Sequence, residues 1–469
     1  MEDRYDLIVI GGGAAGLVAS GFAGLVDVKV ALIEREHLGG DCTWTGCMPS
    51  KALLKVAKNA HAARSGAKYG IHTGDVKVDM RQVRDYVQGV VQKIYQAETP
   101  EEFAKRGVDI ILGEARFVDP HTVQVGEQVL SAKRFIIATG ARPYIPPIEG
   151  LGGVPFRTSR SIFENDVLPP RLLIIGAGPI GMELAQAYAR FGSEVFLIDN
   201  HLLSKDEPEV VQVMGHIFER EGVCFVKGQV ASARMRGGEI VLTLEDGTRI
   251  PGDMLLVATG RVANVEALHL DKAGVACSSN GIQVNEQLRT NVKHIYAVGD
   301  CVGGPFYTHR SGYHAVSAAR NALFPGSASG TPDLLPWVTF TDPEVAHVGL
   351  TEAEARQKHG AAVKVHHFDL EHGDRAVTDD AADGFIKMVY KGRGDLLGVT
   401  IVAERAGEML TEFTLAMKHG LGLSKIRNTL HAYPTYSDIV QKAVTQLEVD
   451  ELVASPTGAI LKQVARWWS

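Results

Sequence analysis

Cysteine is scarce in this chain, which has five cysteines among 469 residues. So low and odd a count argues against the disulfide framework of a secreted protein. Long apolar runs are also missing. The most apolar window, residues 172–191, contains Glu183, Gln186 and Arg190 together with three glycines. A strand, a turn and a helix explain that window better than a bilayer span does, so we expect no membrane-spanning segment.

Clustered positive charge is a third absence. The net charge is −7, the isoelectric point is near 6.2, and no run of Lys and Arg stands out. A nucleic acid would be repelled on average, so we do not expect one as a partner. The first six residues are acidic and lead into an apolar run, unlike a secretory signal or an Arg-rich transit peptide. These features predict a cytoplasmic protein.

Size and glycine content are ample. A chain of 469 residues exceeds what one hydrophobic core supports, so two to four domains are expected. Apolar residues make up 45% and charged residues 22%, as in an ordinary globular enzyme, and 51 glycines indicate many tight turns.

A strand–turn–helix–strand pattern occurs twice, with the second copy 165 residues after the first. Residues 5–10 form a short, mainly apolar run, residues 11–16 form a G-x-G-x-x-G turn, and a second apolar run ends on Glu34. The same order recurs in residues 171–199, with the turn at 176–181 and the final acid at Asp199. One such turn is weak evidence, but two in full βαβ context, each with an acid 18 residues beyond its last glycine, predict two dinucleotide sites.

The chemistry of these turns identifies candidate ligand contacts. Glycines let backbone N–H groups at a helix N-terminus approach a pyrophosphate, and the acid accepts hydrogen bonds from an adenosine ribose. The residues predicted to bind the first dinucleotide are Gly11, Gly13, Ala14, Ala15, Gly16 and Glu34, and those predicted to bind the second are Gly176, Gly178, Ile180, Gly181 and Asp199.

Asp199 also bears on the choice of nicotinamide cofactor. An acid at this place favours the free 2′-hydroxyl of NADH and repels a 2′-phosphate. No arginine lies between Asp199 and Lys205 to bind one. We therefore expect NAD(H) to be preferred over NADP(H), while His201 and Lys205 leave room for some use of NADPH.

Two of the cysteines lie close together downstream of the first turn. Cys42 and Cys47 stand in residues 39–51, Gly-Gly-Asp-Cys-Thr-Trp-Thr-Gly-Cys-Met-Pro-Ser-Lys. A pair that closes so short a loop stabilises the fold little, because the entropy removed from the unfolded chain grows with loop length. We therefore expect a redox-active thiol pair beside a flavin. Cys224, Cys277 and Cys301 are expected to be small buried residues.

Other parts of the sequence mark domain boundaries and a linker. Residues 138–142 and 258–261 share an Ala-Thr-Gly sequence after an apolar run, and we expect both to be turns where the chain leaves a domain. Residues 324–336 are rich in Pro, Gly and Ser and predict a linker. From Trp337 onwards the chain has strand-like runs at 337–341, 384–390 and 397–402 and helical runs at 408–419 and 436–447, which is an α+β pattern.

Together these motifs resemble the flavin-dependent pyridine nucleotide–disulfide oxidoreductases, the class that includes dihydrolipoamide dehydrogenase, glutathione reductase and mercuric reductase. The resemblance spans nearly the whole chain. It is carried by the first turn with Glu34, the cysteine segment through Lys51, the second turn with Glu183, Gly260-Arg261, Val298-Gly299-Asp300 and Tyr433-Pro434-Thr435.

The resemblance implies an α/β fold with two Rossmann-like dinucleotide-binding domains and a C-terminal α+β dimerisation domain. FAD would bind to residues 1–150 and 271–330, and NAD(P)H to residues 151–270. Residues 335–469 would pair two subunits into a homodimer whose active sites are shared. No resident metal site is implied.

Individual roles follow from the same resemblance. Cys47 is the sulfur against the flavin and Cys42 the outer sulfur that meets the acceptor. Lys51, paired with Glu183, lies beside the flavin's reactive nitrogen. Asp300 holds the flavin ribitol, and the further cofactor-binding residues are Gly40, Asp41, Thr139, Gly140, Gly260 and Arg261.

The tail departs from the disulfide-reducing members, which carry a His-Pro step with a Glu five residues after the His. Here Tyr433 precedes Pro434 and Asp438 is the later carboxylate. A phenol with a pKa near 10 moves protons poorly at neutral pH compared with an imidazole near 6.5. His431 is a candidate replacement base if the turn rotates it inward, although a solvent-exposed histidine is the favoured expectation.

Tyrosine at this position resembles mercuric reductases, and Cys42 and Cys47 as thiolates suit a soft ion such as Hg(II). The sequence has no N-terminal Cys-x-x-Cys carrier domain and does not end in a vicinal cysteine pair, so slower delivery and release are expected. The first hypothesis is thus an NADH-dependent enzyme with a small-molecule or metal-ion acceptor, similar to mercuric reductase. Its alternatives are a dihydrolipoamide dehydrogenase-like enzyme acting on a lipoyl protein, and an electron-transfer flavoprotein with a regulatory disulfide.

Overall fold

The computed structural model describes residues 4–392 and 394–468. Residues 1–3, part of the segment behind the expected cytoplasmic location, lie outside the described residues. Within the described part the strands, numbered in chain order, are β1 Tyr5–Ile10, β2 Val30–Glu34, β3 Val108–Leu112, β4 Ala115–Asp119, β5 Thr122–Val125, β6 Gln128–Ile137, β7 Ala141–Pro143, β8 Arg171–Ile175, β9 Glu194–Asp199, β10 Val223–Lys227, β11 Val230–Arg236, β12 Glu239–Leu244, β13 Arg249–Gly252, β14 Met254–Val257, β15 Arg261–Ala263, β16 Cys277–Ser278, β17 Gly281–Ile282, β18 Ile295–Ala297, β19 Trp337–Thr339, β20 Glu344–Gly349, β21 Val363–Asp369, β22 Phe385–Lys391 and β23 Asp395–Ala403.

The helices are numbered in the same way. They are α1 Ala14–Gly24, α2 Gly40–Trp44, α3 Cys47–Ser65, α4 Met80–Tyr95, α5 Pro100–Ala104, α6 Pro179–Phe191, α7 Pro208–Arg220, α8 Leu270–Ala273, α9 Thr308–Leu323, α10 Glu352–His359, α11 Asp374–Thr378, α12 Ala406–Lys418, α13 Leu423–Arg427, α14 Tyr436–Ala454 and α15 Pro456–Trp468. No helix among the described residues combines the length and the apolarity needed to cross a membrane.

The chain divides into two compact units. The first comprises Met1–His201 and Glu221–Pro332, and the second comprises Leu202–Arg220 and Asp333–Ser469. Neither unit is one continuous segment, because the loop and helix α7 that follow β9 belong to the second unit.

The first predicted βαβ repeat lies in a seven-stranded sheet of the first unit. Its strands run β3-β2-β1-β6-β5-β4, with β18 added on β6, and β1, β2, β3, β6 and β18 pair in parallel. Strands of this kind are covered on both faces, which explains their continuous apolar sequences. Helices α1 and α9 pack on one face through small buried alanines, including Ala19 and Ala318.

The second repeat forms a parallel sheet with the order β10-β9-β8-β14, beside an antiparallel sheet β11-β12-β13. After each Ala-Thr-Gly turn the chain enters a short strand, and these two strands, β7 and β15, pair with each other in antiparallel register. The two turns that the sequence marks as exits are therefore joined directly by backbone hydrogen bonds.

Two glycines show why each turn has its sequence. A Cβ atom on Gly16 would lie 1.7 Å from the carbonyl oxygen of Gly11, and a Cβ atom on Gly181 would lie 1.8 Å from that of Gly176. Any side chain there would push the helix away from the strand. The last glycine of each G-x-G-x-x-G turn is thus required by strand–helix packing.

The second unit is built on a five-stranded antiparallel sheet with the order β19-β20-β23-β22-β21. Its core joins these strands to α12 and α14. The predicted strand and helix runs of this region are confirmed, whereas β20 and β21 were not predicted. Strand β21 reads Val-Lys-Val-His-His-Phe-Asp, whose polar residues give it no apolar run to recognise.

Two cysteine predictions are wrong. Cys224 and Cys277 are exposed, because β10 is an edge strand of its sheet and β16 is only two residues long. Cys301 is completely buried, as expected.

A buried lysine in the second unit is surrounded by three carboxylates. The side chain of Lys387 on β22 is 2% exposed, and its Nζ lies 3.2 Å from Glu207, 2.7 Å from Glu209 and 2.8 Å from Glu352. Glu207 is 3% exposed and also accepts the backbone N–H of Glu352 at 2.7 Å. Lys387 therefore neutralises carboxylates of the α7 segment and of α10 inside one cluster.

We expect Lys387→Met to destabilise the second unit by about 3–5 kcal/mol, because Glu207 would remain buried without its cation. Urea unfolding followed by circular dichroism measures the change. The matched control is Lys105→Met, which breaks an exposed pair with Glu102 and should cost at most about 1 kcal/mol. Equal shifts for both variants would contradict the role given to Lys387.

Candidate active site

The two cysteines lie on consecutive helices that are joined by a short turn. Cys42 lies on the five-residue helix α2, and Cys47 is the first residue of the 19-residue helix α3. Gly46 joins the two helices, and a Cβ atom there would lie 2.7 Å from the carbonyl oxygen of Asp41. Both cysteines are partly buried, and no disulfide joins them in this structure. A sulfur at the N-terminus of a long helix is stabilised as a thiolate by the unpaired N–H groups and the helix dipole.

The two sulfurs differ sharply in acidity. A hydrogen bond from the Cys42 thiol lowers the pKa of Cys47 to about 6, against the opposing effect of burial, and the nearby Thr308 hydroxyl and Lys51 ammonium act in the same direction. The same hydrogen bond, together with burial, raises the pKa of Cys42. At neutral pH the reduced pair therefore consists of a Cys47 thiolate and a protonated Cys42.

A charged pair lies one helical turn beyond Cys47. Lys51 on α3 contacts Glu183 on α6, with 2.9 Å between Nζ and Oε2. The carboxylate side chain is 7% exposed and that of the lysine is 36% exposed. Glu183 stands two residues after the last glycine of the second turn, so the sequence of that turn also sets the place of this carboxylate.

The acids at the ends of β2 and β9 occupy equivalent positions. Glu34 Oε2 accepts the backbone N–H of Gly12 at 2.6 Å, and Asp199 Oδ2 accepts that of Ala177 at 2.8 Å. Gly12 and Ala177 are the second residues of their turns. Each carboxylate is therefore fixed beside its turn, where the ribose of a dinucleotide is held in such units.

The space around the turns fits dinucleotides. A Cβ atom on Gly178 would meet no atom within 4 Å, and the same holds for Gly140 and Gly260. Protein packing therefore does not require a glycine at Gly178, yet its lack of a side chain keeps the N-terminus of α6 open to a phosphate group. Gly11 differs, since its Cβ would lie 2.4 Å from the carbonyl oxygen of Ala138.

A second test of fit is the cluster around Asp300. Arg261 forms an ion pair with Asp41, and its Nε lies 3.7 Å from Asp300 Oδ2. This Nε is buried and has no hydrogen-bond partner among the described residues. Burial raises the pKa of Asp300, and Asp300 Oδ1 accepts a hydrogen bond from the Ser311 hydroxyl at 3.4 Å. Buried polar atoms with so few partners suit a polyhydroxyl group such as the ribitol of FAD.

The remaining predicted cofactor residues follow the carboxyl ends of parallel strands. Ala14 and Ala15 begin α1, Ile180 follows the first residue of α6, and Gly40 begins α2. Thr139 donates its hydroxyl to the carbonyl oxygen of Asn264 at 2.7 Å.

The tail residues lie in the second unit. Tyr433 is 68% exposed. The carboxylate of Asp374 accepts hydrogen bonds from Lys442 and from Tyr433, which lower the pKa of Asp374. Asp438 lies in the first turn of α14, and its backbone N–H donates to the Thr435 hydroxyl at 3.1 Å.

The expectation of a solvent-exposed His431 is wrong. Its side chain is 7% exposed, because Nδ1 lies 2.8 Å from the carbonyl oxygen of Thr429 and Nε2 lies 2.9 Å from both carboxylate oxygens of Glu412. Although burial opposes protonation, the hydrogen bond to Glu412 raises the pKa of His431. Both ring nitrogens face acceptors, so this arrangement stabilises an imidazolium and leaves no free lone pair to accept a proton.

The sequence did not reveal two further residues near the sulfurs. The hydroxyl of Thr308, the first residue of α9, lies 3.3 Å from Cys47 Sγ although 261 residues separate them. Glu98 accepts the hydroxyl of Thr43 at 2.8 Å, and its charge helps to raise the pKa of Cys42. No local motif marks either residue, because each reaches the cysteines only through the folding of the sheet.

In the reduced protein, we expect alkylation of Cys47 by iodoacetamide to be half-maximal near pH 6, because the thiolate is the reactive form and its fraction rises with pH. Cys42→Ala should move this midpoint upward, and Thr308→Val should do so by less. Mass spectrometry locates the modified sulfur, and Cys224→Ser is the control. A midpoint that stays in place in Cys42→Ala would refute the assigned hydrogen bond.

Comparison with known proteins agrees with this geometry. Residues 5–322 match the family described as pyridine nucleotide-disulphide oxidoreductase, and residues 335–444 match its dimerisation domain. A mercuric reductase from Lysinibacillus sphaericus is 36% identical over 459 residues, covering 96% of this chain and 84% of that protein. A dihydrolipoyl dehydrogenase from Thermus scotoductus is 35% identical over 455 residues, covering 94% and 97%.

Solved structures give the same result. The HOCl-induced flavoprotein disulfide reductase RclA from Escherichia coli matches with a TM-score of 0.86 and 25% identity, covering 94% of this chain and 99% of that one. Its Cu(II) complex matches equally well. The chain therefore belongs to the pyridine nucleotide-disulphide oxidoreductase family, and it is an oxidoreductase that uses FAD and NAD(P)H together with the cysteine pair at positions 42 and 47.

Proposed function

We propose that this enzyme uses NADH to reduce a soft, thiol-binding acceptor at Cys42 and Cys47, with Hg(II) as the leading candidate. The observation that carries the proposal is the free cysteine pair, with Cys47 at the N-terminus of α3 and 3.3 Å from the Thr308 hydroxyl, combined with Tyr433 in place of histidine before Pro434. Soft thiolates bind a soft metal ion without a nearby imidazole. Dithiol–disulfide exchange, by contrast, gains from such a base.

The balance of the reaction is simple. NADH and Hg(II) yield NAD⁺, H⁺ and Hg(0), a two-electron change. The first turn, Glu34 and the Asp300 cluster would hold FAD, which would supply a two-electron relay between the nicotinamide and the sulfur pair. Cys42 loses its proton when it binds the metal ion, and Cys47 is already a thiolate.

Charged side chains near the cysteine pair stabilise the charges that develop during the reaction. Lys51 places an ammonium one helical turn from Cys47 and lowers its pKa. Glu183 keeps this ammonium from being unpaired, and we assign Lys51 the role of stabilising negative charge on the flavin ring. Tyr433, an exposed side chain in the tail, is assigned to contact the acceptor.

The relatives support both the leading proposal and one alternative. Mercuric reductases are similar to this chain over almost its whole length, and RclA has been solved with Cu(II). The dihydrolipoyl dehydrogenase of Thermus scotoductus is nearly as similar, which favours dihydrolipoamide as the second candidate. The domain boundaries proposed from the sequence, the sharing of active sites between subunits and the cytoplasmic location stay predictions.

We expect Hg(II)-dependent oxidation of NADH to fall at least about a hundredfold in Cys42→Ser, because a hydroxyl is a poor ligand for a soft ion. Steady-state absorbance of NADH measures the rate with Hg(II), lipoamide, glutathione disulfide, a quinone or oxygen as acceptor. Cys224→Ser, an exposed cysteine on β10, is the control and should match the wild type. Quinone reduction that survives in Cys42→Ser while no thiol-reactive acceptor is used would favour an electron-transfer flavoprotein instead.

Tyr433→His should raise the rate of NAD⁺ reduction by dihydrolipoamide about tenfold or more, because a general acid–base typically contributes about 10²–10⁴-fold. Tyr433→Phe is the matched control and should not raise it. Strong dihydrolipoamide activity in the wild type, lost in Tyr433→Phe, would instead make the lipoyl reaction the main function.

Asp199→Ser should shift the ratio of kcat/KM for NADH and NADPH towards NADPH by about tenfold, because it removes the carboxylate that repels a 2′-phosphate. The carboxylate is fixed by Ala177 at the end of β9, so its loss changes that site locally. The same substitution at Glu34 is the control and should leave the NADH/NADPH ratio unchanged. A ratio that is unaltered in Asp199→Ser would refute the preference assigned to Asp199.

A further inference from the structure

The last helix of the described chain has a regular apolar stripe that faces solvent. Helix α15 carries Ile460, Leu461, Val464, Trp467 and Trp468, which recur at the spacing of one helix face. Their exposed fractions run from 49% to 91%, and each tryptophan is 91% exposed. An exposed stripe of this kind is uncommon on a folded surface and marks a site of interaction.

The direction of α15 is fixed at its start. The Ser455 hydroxyl accepts the backbone N–H of Gly458 at 3.1 Å, and Pro456 occupies the first helical position, where its missing N–H is harmless. A Cβ atom on Gly458 would lie 2.0 Å from the carbonyl oxygen of Leu452. The close corner between α14 and α15 therefore holds the stripe in one orientation.

The charge of α15 is opposite to that of the whole chain. The helix has Lys462 and Arg466 and no acidic residue, whereas the chain carries a net charge of −7. Two of the acids near the end of α14 are paired with other cations, Glu448 with Arg427 and Glu451 with Lys364. The two basic residues lie on the side of α15 away from the apolar stripe.

The apolar stripe and the basic residues of α15 together match one class of helix. An apolar face with tryptophans, next to lysine and arginine and without acids, is the pattern of helices that lie in the interface of an anionic bilayer. A helix of 13 residues is about 20 Å long and is too short to span a hydrocarbon core of about 30 Å. The match to the family's dimerisation domain ends at residue 444, before α15 begins.

We propose that α15 binds the surface of an anionic lipid bilayer, with its apolar stripe in the interface and Lys462 and Arg466 near the headgroups. The helix makes the enzyme a peripheral membrane protein, bound through the second unit, whereas the cysteine pair belongs to the first. Since attraction to anionic headgroups is screened by salt, binding weakens as ionic strength rises.

The test is co-sedimentation of the full-length, FAD-loaded enzyme with vesicles of phosphatidylcholine, alone or with about 30% phosphatidylglycerol. We expect binding to the anionic vesicles to be about tenfold stronger or more. Trp467→Ala with Trp468→Ala should weaken it about tenfold, and Lys462→Glu with Arg466→Glu should abolish the difference between the two vesicles. Gln463→Ala, on the polar side of the same helix, is the control and should bind as the wild type does.

Sedimentation velocity without lipid, thermal melting and NADH oxidation accompany each variant. Unchanged sedimentation and melting together with lost vesicle binding support the proposal. If the tryptophan variant instead forms a smaller species and the wild type does not bind vesicles, the stripe is covered by a second copy of the chain and the proposal fails. It also fails if the wild type binds neither vesicle, or if the tryptophan variant binds as tightly as the wild type.

Discussion

The contact between a glycine and a carbonyl oxygen at the start of α1 and of α6 is the constraint on which the first unit depends. At Gly16 and Gly181 there is no room for a side chain, so each helix begins directly against the strand before it. This contact fixes the open turn, the place of the acid at the end of the next strand and, in the second repeat, the position of Glu183. Glu183 in turn holds Lys51, which stands on the same helix as Cys47. One packing requirement therefore extends from the dinucleotide turns to the reactive sulfur.

The asymmetry of the sulfur pair follows from local geometry. Cys47 begins a long helix and receives hydrogen bonds, whereas Cys42 lies on a helix of five residues and donates one. Thr308, the first residue of α9, adds a hydroxyl 3.3 Å from Cys47 Sγ, and this hydroxyl lowers the pKa of both cysteines. The division of the pair into a thiolate, Cys47, and a thiol, Cys42, thus needs no contribution from a ligand.

The sequence predicted features that depend on neighbouring residues and missed those that depend on distant ones. The sequence repeat predicts Glu34 and Asp199, and it also predicts the strands and helices of the two dinucleotide-binding units. Strand β21 was missed because tertiary contacts, and not its polar sequence, make it a strand. The sequence suggests a solvent-exposed His431 because its partner, Glu412, lies on α12, outside the tail segment, and no local pattern links the two. Thr308 is a similar case, since only the folded sheet brings α9 to Cys47.

The carboxylate cluster around Lys387 has a consequence for how the protein can be divided. Glu207 and Glu209 come from the loop and helix between β9 and β10, yet their cation stands on β22 in the C-terminal sheet. A shortened chain that stopped at the linker would keep the acids and lose the lysine, leaving Glu207 as a charge without compensation. The C-terminal sheet expressed alone would have the reverse defect, a lysine in an apolar interior without two of its acids. A domain exchange or deletion therefore has to include both the C-terminal sheet and the α7 segment. These two parts are not adjacent in the sequence.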